Sequence, residues 1–442
     1  EPTAAGAARA PWGGMTGSPS PPERPAPPPN PHPPASVREP QRKGWPRPLV
    51  ALWAAQLANG MLLGPIFTLY AIFVKHGLGL PASTAAELRA AFVGLGGIMA
   101  LPGGIVCATL GPRRAYGLSL TCAIAIGVGF LLRFPLPPWG LALLWASAIY
   151  AGLMGGLGSV AGQSYLIAAV PRAMLGTATA GYFLAMTLGH ALGNWIGGRV
   201  ADAPLADGAG YAALGLLAIG GGTALVLAAA RWLPEVPGSA AARAGAARAA
   251  YRRLARRPEV WLLLLLRFFP TAYWGVVTFL QPLLIYAAAG RNQVAGDYTA
   301  MALAASAVSQ WLTGRLCDRG YRRPVMLLAG AGVIASAAGL LAFHTSLVGI
   351  YAFGLLGAML AWMLSTTMPG IIRDLSAPDE RPHLLAATHG AWSAGFVGGT
   401  LVAGRWSEAA PVALAIALGC AMAAGAAIVA LLPFVRGERA TA

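Results

Sequence analysis

Apolar positions in this chain come in long blocks. They neither alternate nor form a narrow stripe beside a polar face. From Trp45 onward the blocks recur at near-constant length, and Pro, Gly or charge closes each one. A helix needs about 20 apolar residues to cross a bilayer's hydrocarbon. In lipid, only helices or closed barrels satisfy their own backbone groups. The blocks predict twelve spans, at about 48–74, 89–110, 115–134, 141–166, 177–199, 211–231, 259–288, 298–317, 324–343, 348–371, 385–405 and 412–433. Pro135-Leu136-Pro137-Pro138 and Pro378-Asp379-Glu380-Arg381-Pro382 mark two of the breaks. The reading is an all-α polytopic membrane protein, with 12 transmembrane helices in two pseudo-symmetric six-helix bundles. Its parts are a disordered Pro/Ala-rich tail (1–46), a first bundle (47–232), a basic linker (233–258) and a second bundle (259–436). The linker is read as solvated chain or as a surface helix against anionic lipid.

Composition narrows the class. Of 442 residues, 57% are hydrophobic and 10% charged, against about 25% charged in soluble proteins. Lipid must be the main solvent. The net charge of +16 raises the question of nucleic acid. However, the arginines sit in short loops between apolar blocks, where membrane topology puts them. Arg42, Lys43, Arg47, Arg172, Arg243, Arg248, Arg436 and Arg439 fall on one side. Lys75, Arg89, Arg133, Arg199, Arg291 and Arg405 fall on the other. The bias predicts a multi-pass protein of the cell (inner) membrane with both termini in the cytosol. The four cysteines lack ligand spacing to one another or to His, so no metal site or cofactor is expected. No HExxH, GxSxG or P-loop is present, which argues against an enzyme and against ATP-driven pumping. The expected partners are a small-molecule substrate and the lipid bilayer, not nucleic acid, and the expected state is a monomer.

A short phrase occurs twice. The second copy is Gly314-Arg315-Leu316-Cys317-Asp318-Arg319-Gly320-Tyr321-Arg322-Arg323-Pro324. The first is Gly104-Ile105-Val106-Cys107-Ala108-Thr109-Leu110-Gly111-Pro112-Arg113-Arg114. A repeat between two spans of each half implies equivalent half-molecules. The phrase resembles the Gly-x-x-x-Asp-Arg-x-Gly-Arg-Arg loop of the major facilitator superfamily. Gly314, Asp318, Arg319, Arg322 and Arg323 match it, with Tyr321 in place of the second Gly. Gly104, Gly111, Arg113 and Arg114 match in the first copy, with Ala108 and Thr109 in place of Asp and Arg. The resemblance implies a gating loop. On physical grounds, Gly314 would admit a close helix approach, and Arg319, Arg322 and Arg323 would hold the cytosolic interface. Topology alone is the other reading of these charges. The fifth span, Gly189-His190-Ala191-Leu192-Gly193-Asn194-Trp195-Ile196-Gly197-Gly198, is similar to a glycine phrase of drug/proton antiporters, with Asn194 replacing a Pro. Gly395, Gly399 and Gly404 echo it in the eleventh span. Close helix packing is the simpler reading of both.

In the family resembled, the first, fourth, seventh and tenth spans line a central cavity. The seventh span carries Arg267, Thr271, Trp274, Thr278 and Gln281 at spacings that share one helical face. Gln56 and Asn59, Tyr150 and Gln163, and Tyr351 and Trp362 supply polar groups from the other three spans. Arg267 either holds an anionic group of a substrate or snorkels to headgroups. Every carboxylate lies in the tail, in a loop or at a span end, so a coupling proton would ride on His190, His389 or an edge carboxylate. The expected function is a secondary transporter moving a small organic solute by alternating access, with proton-coupled efflux as the finer expectation. A facilitated uniporter or uptake carrier is the mechanistic alternative. A non-transporting membrane sensor is the alternative of another class.

Overall fold

A computed structural model describes residues 45–170, 174–205, 209–236, 251–377 and 380–435. The expected tail, apart from Trp45 and Pro46, lies outside the described residues. So do most of the linker, with Arg243 and Arg248, as well as Arg172, Arg436 and Arg439.

Helices fill the described chain. They are α1 (Arg47–Ile72), α2 (Ala82–Leu110), α3 (Pro112–Ser119), α4 (Cys122–Phe130), α5 (Gly140–Ala169), α6 (Leu175–Ala201) and α7 (Ala209–Trp232). A second series follows: α8 (Pro258–Ala289), α9 (Asn292–Asp318), α10 (Arg322–Phe343), α11 (Leu347–Leu375), α12 (Arg381–Arg405) and α13 (Ala410–Leu431). Among the described residues, seven helices meet a length and hydropathy test for crossing a membrane. α2, α6, α9 and α12 match them in length, at 29, 27, 27 and 25 residues. The predicted third span is two helices, broken at Leu120–Thr121. There the Thr121 hydroxyl donates to Leu118 O and shares a hydrogen bond with the Tyr150 hydroxyl.

Packing repeats from one half to the other. α1 lies on α6, α2 on α5 and α4 on α7. In the same order, α8 lies on α12, α9 on α11 and α10 on α13. Two pairs close the seam between the halves, α6 with α9 and α2 with α12. Lipid tails are as apolar as leucine, so helices associate through close backbone approach, not through burial from water. A Cβ on Gly60 or Gly64 of α1 would stand 2.7 or 2.6 Å from the carbonyl oxygens of Met186 and His190 on α6. Gly189 and Gly193 abut Leu57 O and Met61 O in return. In the second half Gly275 would bring a Cβ to 2.5 Å from Phe396 O, while Gly395 and Gly399 abut Phe268 O and Ala272 O. The glycine phrases of the fifth and eleventh spans are therefore helix-crossing surfaces.

Candidate functional site: an aromatic cleft and a one-sided seam

α1, α8 and their neighbours give the molecule two ends. The linker face holds the N-terminus of α1, the α2–α3 turn and residues 233–236 and 251–258. The far face holds the opposite helix ends. On the far face, polar side chains bond across the seam. Lys75 Nζ lies 2.6 Å from Glu408 Oε1, and Arg199 Nη1 lies 2.6 Å from Asp297 Oδ1. The Asp202 carboxylate accepts from the backbone N–H of Asn292 (3.0 Å) and of Gln293 (2.7 Å), and from Asn292 Nδ2 (2.9 Å). It thereby caps the free N–H groups at the start of α9 from the other half of the molecule. The Tyr211 hydroxyl donates to Asn292 Oδ1, and the Thr68 hydroxyl donates to Thr299 Oγ1 deeper in the seam.

Arg89 fastens the seam further in. The sequence pattern assigned it to an outer loop, but α2 begins seven residues before the predicted span and takes Arg89 inside. It is 4% exposed. Its Nη1 donates to Thr278 O and its Nη2 to Thr278 Oγ1, both at 2.9 Å. The acceptor is available because Pro282, four residues on in α8, has no N–H to offer that carbonyl. The guanidinium also lies 5.8 Å from the Phe67 ring and 5.1 Å from the Phe396 ring.

On the linker face four ion pairs of the described residues each stay within one half. Arg113 pairs with Glu235 at 2.6 Å and also donates to Ala230 O. Arg322 pairs with Asp374 at 2.6 Å. Arg253 and Arg257 both bind Glu380, at 3.1 and 3.0 Å, and Arg323 donates to Val435 O. Burial pushes the Glu380 carboxyl up, but the Arg253 hydrogen bond, the Ala377 N–H and the two arginine charges outweigh it. They hold the group below the usual carboxylate range. Asp318 and Arg319 are exposed, as is Arg114. The expected close approach at Gly314 is not seen, since a Cβ there would meet nothing within 4 Å, and the same holds at Gly104. The left-handed turn of the first phrase is at Gly111 (φ 80°). In the second phrase it has moved one residue back, to Gly320 (φ 85°), which lets Tyr321 keep an ordinary φ of −85°.

A cleft of about 70 Å³ lies between α8, α11 and α12. Leu266, Arg267, Pro270, Thr271, Trp274, Ala361, Trp362, Leu364, Ser365, Met368 and Trp392 line it. Arg267 Nη1 donates to Ser365 Oγ at 2.9 Å, and the Thr271 hydroxyl donates back to Arg267 O. Pro270 and Pro369 lack the N–H groups that would bond Leu266 O and Ser365 O, so both helices carry a freed carbonyl here. From Trp392, which stacks on His389 (5.5 Å) and on Phe396 (5.7 Å), aromatic contacts lead through Arg89 to Phe67. The Phe67 ring lies 5.4 Å from His190. Both histidines thus stand at the ends of one row that crosses the seam.

The structure brings Arg267, Thr271, Trp274 and Trp362 together and sends the other expected cavity residues elsewhere. From Arg267 to Gln281 the stripe covers about 21 Å at about 1.5 Å per residue, too long for one cleft. Its upper part serves other tasks. Thr278 holds Arg89, and Gln281 accepts from the Tyr298 hydroxyl in the second half's core. Gln56 accepts from the Tyr116 hydroxyl, and Tyr351 donates to Val294 O. Gln163 donates to Ser159 O of its own helix, while Tyr150 is exposed beside Thr121. Asn59 Oδ1 is buried without a partner. Sequence reasoning missed Trp392 and Arg89. The three-residue step from His389 to Trp392 was a signal for the first, and an arginine just inside an apolar block was one for the second.

The chain resembles known transporters in fold. A solved D-xylose–proton symporter aligns with a TM-score of 0.70 and 14% identity, over 88% of this chain and 98% of that one. The nucleoside transporter NupG aligns at 0.68 and 14%, over 87% and 99%. A structure concerning substrate recognition in proton-dependent oligopeptide transporters aligns at 0.68 and 12%, over 88% and 98%. At these identities the likeness is one of fold alone. No curated protein matches the chain. The profile of the Major Facilitator Superfamily, however, matches residues 52–292. With that match covering more than half its length, the chain belongs to the Major Facilitator Superfamily.

Proposed function

We propose that this protein is a secondary transporter carrying a small organic solute by alternating access, with proton-coupled efflux as the finer reading. The observation that carries the proposal is the asymmetry of the seam. Polar bonds join the halves on the far face, whereas the named ion pairs of the linker face remain within each half. Such an arrangement is one of the two states that a rocking pair of bundles needs. The gating role of Gly104, Gly111, Arg113, Arg114, Gly314, Asp318, Arg319, Arg322 and Arg323 belongs to the opposite state, in which the linker face closes. With the termini in the cytosol of a bacterial-type inner membrane, the state described here faces inward. The reading takes the transporter as a monomer.

Facilitated uniport is the second reading, favoured by one observation. The described carboxylates sit in loops or within two turns of a helix end, so a buried proton carrier falls to His190 or His389. The test is solute counterflow in proteoliposomes, with and without a pH gradient, paired with spin-label distances across each face. Counterflow accelerated by the gradient supports coupling, and counterflow indifferent to it supports uniport. Labels that keep one fixed separation on both faces, with and without solute, would overturn alternating access and favour a sensor.

A further inference from the structure

The cleft holds donors without acceptors. Arg267 carries five N–H groups, of which one is bonded to a side chain, Ser365 Oγ. No carboxylate among the described residues pairs with it. Trp362 lines the same cleft, and its Nε1 is buried without a hydrogen-bond partner. A buried unpaired donor costs about 1–3 kcal/mol, and a buried charge costs more. Arg89, whose role is structural, bonds both terminal nitrogens of its fork to Thr278 and leaves only Nε buried without a partner. Arg267 has one terminal nitrogen bonded to a side chain, and it lines the cleft of about 70 Å³.

We infer that the cleft binds an aromatic monocarboxylate, with the carboxylate on Arg267 and the Trp362 N–H and the flat body against Trp274 and Trp392. This names the substrate class for the transporter proposed above and rests on that reading. The guanidinium fork suits a planar carboxylate, which it grips with two parallel bonds. One negative charge neutralises the site. A dianion would leave a net charge in a poorly solvated cleft, which is costly. The indole faces supply apolar, stacking walls, and Met368 fills the irregular remainder.

The test is calorimetric titration of the detergent-purified full chain with 1-naphthoate, benzoate and indole-3-acetate. Two isosteres of the first serve as controls, neutral 1-naphthylmethanol and cationic 1-naphthylmethylamine. At least one carboxylate should bind saturably, and both isosteres should bind about tenfold more weakly or worse, the equivalent of about 1.4 kcal/mol. Arg267→Gln should lose at least about tenfold in affinity. Arg267→Lys should recover part of that loss, because it restores the charge without the fork. Trp362→Phe keeps a ring wall while deleting the N–H, and should lose several-fold. It also serves as the test if Arg267→Gln fails to fold. Carboxylate binding unchanged in both Arg267→Gln and Trp362→Phe overturns the inference. So does equal binding of all three naphthyl probes, or the absence of saturable binding by every carboxylate. Binding is read without a membrane and is therefore separable from transport. Carboxylate binding without counterflow leaves the site standing and removes the transporter. Counterflow of another solute without carboxylate binding does the reverse.

Discussion

The far face and the linker face use similar residues to opposite ends. Both carry arginine–carboxylate pairs at about 2.6 Å. On the far face, Arg199 and Asp297 belong to different halves. On the linker face, Arg322 and Asp374 belong to the same one. What a salt bridge does in this molecule is therefore set by which bodies it joins, not by its geometry. Pairs within a half hold that half's shape. In the alternating-access cycle proposed above, pairs across the seam would set the balance between two states.

The largest test locks the far face. In a background without the native cysteines, Thr68→Cys with Thr299→Cys places two thiols across the seam, since the native hydroxyl oxygens lie 2.9 Å apart. Oxidation should reduce counterflow to background, and reductant should restore it. Next is Asp202→Ala, which removes an acceptor of three hydrogen bonds. Hydrogen bonds to a charged group are worth roughly 1.5–3 kcal/mol. Thiol labelling of a far-face Ser83→Cys reporter should rise by about tenfold or more. Asp297→Asn should do the same more weakly. Its pair is about one-third exposed, so about 0.2–1 kcal/mol is at stake, and the few-fold effect should shrink further in high salt.

The smallest effect sharpens the contrast from the linker face. Glu380→Gln should leave far-face labelling unchanged and lower the melting temperature slightly at neutral pH. Because the native carboxyl lies below its unfolded value of about 4.5, its contribution is fully present above that value. The contribution is lost as pH falls through the native value. Thermal melts from pH 7 to pH 3 should show the wild type losing its advantage over the Gln variant at the acid end. A Glu380 variant that opened the far face would erase the distinction between the faces.

The helices were legible because lipid leaves the backbone no alternative, and the predicted spans lie within a few residues of α5, α7, α8 and α10. The glycine phrases were legible as packing surfaces for the same reason. The seam was not. Lys75 meets Glu408 across 333 positions and Asp202 meets Asn292 across 90, and each charge alone looks like an ordinary span end. The polar stripe on α8 was legible as a stripe, but periodicity fixes the direction a side chain faces and not how far a cavity extends along the axis. Hence Arg267, Thr271 and Trp274 share the cleft, while Thr278 and Gln281 do not. The break at Leu120–Thr121 left no Pro or Gly to announce it.

The carbonyl of Thr278 has two possible clients. Were position 282 any residue but proline, that oxygen would be claimed by its own helix, and Arg89 would arrive to find it taken. Helical regularity and closure of the molecule compete for one atom, and proline decides the contest in favour of closure. Pro282→Ala would mend the helix and, by the same stroke, loosen the join between the two halves.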